Sequence, residues 1–131
     1  MVVLDSWALL AYLQGEPAAE QIESGWLDEG AAVSSINLGE VLYILTREDG
    51  EESAAAEVEM IRKRVDVVEP DWPLVAVAAR IKAGGGLSYA DAFCIATAIR
   101  VDAPLWTGDP EIVELADKHS CEVVDLRHPQ D

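Results

Sequence analysis

VVLDSWALLAYL (residues 2–13) passes from a three-residue apolar run into a helical pattern, with one acid, Asp5, at the junction. VVL is rich in β-branched residues and apolar on both alternating sides, as a strand covered on both faces would be. SWALLAYL (6–13) follows at once with helical character. A strand delivered straight into a helix is half of a crossover unit, and the same grammar recurs along the chain. Residues 17–29 predict a helix with Ala18, Ala19, Ile22, Trp26 and Leu27 on one face. AAVSS (31–35) is a second strand leading into the helix INLGEVLYILTRE (36–48). Residues 52–65 predict an acidic-then-basic helix, with Glu59 and Lys63 paired at i,i+4. VDVVE (65–69) is a third strand, and Pro73 falls in the first turn of a helix that ends at Gly84-Gly85-Gly86. The apolar helix LSYADAFCIATA (87–98), the strand APLWT (103–107), a helix at 110–118 and the strand CEVVDL (121–126) complete the set. Five short strands separated by helices require parallel crossovers. The expected fold is therefore a three-layer α/β/α sandwich around a central, mostly parallel five-stranded sheet. No repeat or composition break divides residues 1–131, which are enough to bury one domain core.

Composition removes several function classes. Half of the residues are hydrophobic, yet no apolar run approaches the roughly 18–20 residues of a membrane span. MVVLD has neither a basic leader nor a long apolar segment before the first strand, so the expected location is the cytoplasm. Cys94 and Cys121 read as small apolar residues in a reducing compartment. His119 and His128 are isolated, and no Cys/His set has zinc spacing. The net charge is −16, with only three lysines, Lys63, Lys82 and Lys118. Such a surface on an ordinary apolar core points to a halophilic source, because at 1 M salt the Debye length falls to about 3 Å, from about 8 Å at 0.15 M. Under that screening, acidity alone does not exclude a nucleic-acid ligand.

In open α/β sheets, ligands bind beyond the carboxyl ends of the strands, and four acids belong near that edge. Asp5 closes the first strand; either it or Ser6 caps the helix that follows. Glu40 is in line with Ile36 and Ile44 in a strongly apolar helix, where a lone carboxylate is costly unless paired or bound to a cation. A solvent-facing position is the other reading, since Asn37 and Tyr43 keep part of that helix polar. Asp91 stands three residues after Ser88, the capping-box spacing, and also heads the apolar stripe Cys94, Ile95 and Ala98. Asp109 precedes Pro110 at a helix start, after Gly108, which suits a cap. Each acid has a local explanation, but the fold brings all four towards one edge. Two unit charges 4 Å apart repel by about 4 kcal/mol at an effective dielectric of 20, so such a cluster calls for a cation. Oxygen-only ligands favour a hard ion, Mg²⁺ or Mn²⁺.

Taken together, VVLDSWALLAYL, SSINLGEVLYIL, LSYADAFCIATA and LWTGDPEI resemble, in order and spacing, a PIN domain, and within that group the VapC-type toxin ribonucleases of type II toxin–antitoxin pairs. The resemblance spans the whole chain as a single PIN domain. It implies that Asp5, Glu40, Asp91 and Asp109 fill the four acidic catalytic positions. Asp5, Asp91 and Asp109 would hold one or two Mg²⁺ or Mn²⁺ ions, and Glu40 would orient or activate the attacking water. Thr107 would fix a carboxylate by a hydrogen bond; a β-branched strand residue is its alternative reading. The implied partners are an RNA substrate, a cognate VapB-type antitoxin and a second copy in a homodimer, with no membrane. Few basic residues are available for RNA: Arg62-Lys63-Arg64 reads as a helix end complementing the dipole, with phosphate contact as its other reading, and Arg47 and Arg100 are similar unassigned candidates. Trp7, Trp26, Trp72 and Trp106 are read as core, with some left for an interface. Two alternatives remain: a PIN nuclease in RNA processing, and a receiver-like phosphoacceptor regulator. The latter needs adjacent acids after the first strand and a lysine on the last strand's loop; here Ser6 follows Asp5 and Lys118 falls in a helix.

Overall fold

The computed structural model describes residues 1–127; His128 lies outside them. Five strands, β1 (Val2–Leu4), β2 (Ala31–Ser34), β3 (Asp66–Val68), β4 (Leu105–Thr107) and β5 (Val123–Asp125), pair in the order β3-β2-β1-β4-β5. Every pairing is parallel, with Val3 opposite both Ala32 and Leu105. The chain winds outwards from β1 in one direction to β3, then crosses back to β4 on the other side. The crevice between β1 and β4 is thus the topological switch point, where ligands of such sheets bind. A receiver-like sheet has the order 2-1-3-4-5, so this topology excludes the phosphoacceptor reading.

Strand alternation sends the core to both faces. Val2, Leu4, Val33 and Trp106 pack beneath α1 (Ser6–Leu13), α2 (Ala19–Glu29), α3 (Ser35–Asp49) and α4 (Glu51–Arg62). Val3, Ala32 and Leu105 pack beneath α5 (Trp72–Ala83), α6 (Tyr89–Val101) and α7 (Pro110–Leu115). The crossovers before β2 and β3 cover one face and those before β4 and β5 the other, as right-handed connections require. In α6, every residue from Ala92 to Ala98 is buried, which is why its sequence is apolar all round.

Some boundaries and contacts differ from expectation. The second helix starts at Ala19, after a turn at Pro17 and Ala18, and Leu27 is 74% exposed instead of facing the core. Ser34 ends β2 and caps α3. The helix expected over 52–65 stops at Arg62, because the chain must straighten into β3. Glu59 pairs with Arg62 at 2.9 Å, one residue short of Lys63. The last helix gives way after Leu115 to a 3₁₀ turn, Ala116–His119.

Gly25 allows α2 to lie against the sheet, since a Cβ there would meet Cη2 of Trp106 at 2.2 Å. Alanine favours helix over glycine by about 1 kcal/mol, but overpacking costs about 1–3 kcal/mol or more, and Trp106 is a buried ring. The overlap outweighs the propensity. Gly25→Ala is expected to lose about 2 kcal/mol net, read as a lower denaturation midpoint at unchanged slope; an unchanged or higher midpoint would contradict this packing.

Candidate metal centre

Asp5 leaves β1 at the switch point and is 2% exposed. Its Oδ1 accepts the Ala8 N–H at 2.9 Å and so caps α1. Its Oδ2 accepts a hydrogen bond from the Thr107 hydroxyl at the end of β4. That hydroxyl in turn accepts the Asp109 N–H at 3.0 Å. One carboxylate therefore ties the ends of the two central strands together and sets the corner from which Asp109 projects. Thr107, a β-branched residue at the end of its strand, thus holds one oxygen of the Asp5 carboxylate.

Asp91 and Asp109 are also genuine caps. Ser88 and Asp91 form a capping box, with bonds of 3.1 and 3.3 Å, and Asp109 Oδ1 accepts the Glu111 N–H at 2.9 Å. Capping and clustering are compatible, because the two helix starts point at the same crevice. Carboxylate oxygens of Asp91, Asp109 and Glu111 all lie within 4.8 Å of one another. Glu111 was not singled out by sequence: it is exposed in the first turn of α7 and follows no apolar period. It stands in this trio with Asp91 and Asp109, while the two Asp5 oxygens accept hydrogen bonds from Ala8 and Thr107.

Glu40 sits on α3, half-buried. Its Oε1 accepts the Ser6 hydroxyl at 2.8 Å and the Asn37 amide at 3.4 Å. Asn37, 1% exposed, also donates to the Ala90 carbonyl at 3.1 Å and so links α3 to the start of α6. Its Oδ1 accepts no hydrogen bond among the described residues. Ser6 and Asn37 were read only as a cap and as a polar patch. Their signal was position: one residue after Asp5 and three before Glu40.

Electrostatics binds the acids into one system. Burial pushes the Asp5 carboxyl from 3.8 up to about 7; the Thr107 and Ala8 bonds oppose this, and the charges of Asp109 and Asp91 add to it. Asp91 is also raised, by burial first, then by Asp109, with a smaller push from Glu40. Several of the chain's cations are engaged elsewhere. Arg100 forks onto Asp71 at 2.6 and 2.9 Å, Arg64 lies over Trp26 and Arg47 over Tyr43, and Lys82 holds the Leu87 carbonyl. A hard divalent cation fits this donor set: oxygen-only ligands, converging, and destabilised by one another's charge.

A family model described as PIN domain matches residues 2–118. The chain belongs to the PIN-domain family. Solved structures share this PIN fold over nearly its full length. VapBC2 from Rickettsia felis, bound to a DNA fragment from its promoter, matches with a TM-score of 0.76 at 15% identity, over 95% of this chain and 98% of that one. DNA-bound VapBC from Salmonella typhimurium matches at 0.76 and 19%, over 95% and 97%. VapC20 from Mycobacterium tuberculosis, described as a sarcin-ricin loop cleaving toxin, matches at 0.70 and 17%, over 87% and 94%. No curated protein matches the sequence. No helix among the described residues is long and apolar enough to cross a membrane.

The raised Asp5 pKa fixes the sign of a stability effect. Between pH 3.8 and about 7 the folded metal-free protein keeps a proton on Asp5 that the unfolded chain has released, so stability falls as pH rises through this window. The shift corresponds to up to about 4 kcal/mol. Asp5→Asn, unfolded by urea in EDTA, is expected to be more stable than wild type at pH 8 and to approach it near pH 4. A difference that stays constant with pH would contradict the buried-carboxylate account.

Proposed function

We propose that this PIN domain is a divalent-metal-dependent endoribonuclease, using Mg²⁺ or Mn²⁺, and that it acts as the toxin of a toxin–antitoxin pair. The observation that carries the proposal is the convergence of Asp91, Asp109 and Glu111 beside the buried Asp5 at the β1–β4 switch point. Asp91 and Asp109 would hold the metal, with Asp5 as the buried carboxylate beneath them and Glu111 as an added oxygen donor. When bound, the metal lowers the pKa of a coordinated water and stabilises charge developing on the phosphate. Glu40, its Oε1 anchored by Ser6 and Asn37, would orient the attacking water and take its proton at Oε2. Thr107 would keep Asp5 and Asp109 in register through its two hydrogen bonds.

The toxin assignment draws on the structures named above, two of them VapBC and one described as a sarcin-ricin loop cleaving toxin, and on a similar structure described as a toxin-antitoxin complex from Klebsiella pneumoniae. A VapB-type antitoxin, RNA as substrate, a homodimer and a cytoplasmic location belong to the same proposal, as does a working environment of concentrated salt that screens the −16 charge. A PIN nuclease in RNA processing has the same chemistry; an antitoxin gene beside this one separates the two.

Labelled RNA is expected to be cleaved with Mg²⁺ or Mn²⁺ and to remain intact in EDTA, with Asp91→Asn folded but inactive in cleavage and in growth arrest. Thr107→Val is expected to retain activity reduced about 10–100-fold, as for other changes to groups that orient a metal ligand. Cleavage by folded Asp91→Asn, or undiminished cleavage in EDTA, would overturn the metal-nuclease reading.

A further inference from the structure

A cleft of about 480 Å³ opens beside the acidic edge, between α1, the α1–α2 turn and the end of the described chain; Trp7, Leu10, Pro17, Leu126 and Arg127 line it. Two contacts join it to the metal centre. Cζ2, Cη2 and Cε2 of Trp7 lie 2.3, 2.4 and 2.5 Å from where a Gly108 Cβ would stand. Three adjacent ring atoms at nearly equal distance mean that the indole meets Gly108 broadside, so one face rests on the residue before Asp109. The Leu126 N–H donates to the Thr107 carbonyl at 2.8 Å, which puts Arg127 immediately past the β4 corner. Asp125 grips the Arg127 guanidinium through Nε and Nη2, at 2.8 to 3.3 Å. Nη1 makes no hydrogen bond among the described residues, and the side chain is 38% exposed. Asp109 also acts electrostatically on this guanidinium. Arg127 is thus an oriented cation at the acidic edge of a chain with nine cations in all.

An aromatic ring braced on backbone, with an aimed guanidinium beside it, is the pairing that single-stranded nucleic acid uses: a base stacks on the ring and a phosphate meets the arginine. We propose that this cleft is a nucleobase subsite for the substrate RNA, with Trp7 as the stacking platform and Arg127 as the contact to the adjoining phosphate. The proposal rests on the ribonuclease reading and adds a substrate-binding surface outside the acidic set. It also answers how so acidic a chain holds RNA: stacking and one directed cation work where long-range charge is screened.

Steady-state cleavage of labelled single-stranded RNA in Mg²⁺ separates the two readings, because the ribonuclease reading fails if wild type does not cleave, whatever the cleft does. With a cleaving wild type, Trp7→Leu is expected to raise KM about tenfold with little change in kcat, and Trp7→Phe to recover most of the loss. Arg127→Gln, at an exposed position, is expected to raise KM and to flatten its salt dependence, while Arg127→Lys recovers part. Wild-type KM in both folded variants, Trp7→Leu and Arg127→Gln, would overturn the subsite. So would a fall in kcat at unchanged KM for Trp7→Leu, which would make the ring only a prop for Gly108. Unchanged KM with lost binding of the polypeptide encoded by a neighbouring gene would make the cleft a protein-docking groove and overturn the proposal likewise.

Discussion

The Thr107–Asp5 hydrogen bond joins the ends of two parallel strands that are neighbours in the sheet but about a hundred residues apart in the chain. A β-ladder fixes strand spacing but not the direction in which the chain leaves each strand. Here one buried carboxylate sets both exits: through Ala8 it starts α1, and through Thr107 it turns the backbone towards Asp109. The position of Asp109, the seat of Trp7 on Gly108 and the course of Leu126 beside Thr107 all depend on that corner.

Placing this constraint at the switch point makes it a liability for the metal-free fold. A carboxylate there is desolvated and faces other acids, which is why its pKa rises to about 7 and why the folded metal-free protein prefers it protonated. On the proposed function, activity and stability pull against each other through this one side chain, as expected where a site is built before its ligand arrives. The hydrogen bonds from Ala8 and Thr107 recover part of the cost and hold the geometry.

Much of this was legible in sequence because the relevant patterns are local. The run from VVL through Asp5 into SWALLAYL gave the crossover unit, and its repetition gave the parallel sheet. Asp91 was readable both as a capping box and as a site acid; the capping box forms, and its carboxylate stands near those of Asp109 and Glu111. Side-chain partnerships that depend on tertiary packing were not legible. Ser6 and Asn37 converge on Glu40 only once α1 and α3 are docked. Glu111 joins Asp91 only because α6 and α7 start at the same crevice. Leu27 fitted a helical face by period, yet in the folded chain it stays 74% exposed. Arg127 carried no motif; its place comes from β5 pairing with β4.

On the proposed function, the mutually repelling carboxylates at one sheet edge hold a divalent cation. Anomalous diffraction from crystals soaked in Mn²⁺ tests it most directly. The account predicts a Mn²⁺ peak within coordination distance of Asp91 and Asp109, with Glu111 or Asp5 completing the oxygen shell, and loss of that peak in Asp91→Asn. Saturating Mn²⁺ with no peak at this edge, or a peak that persists unchanged in Asp91→Asn, would contradict it.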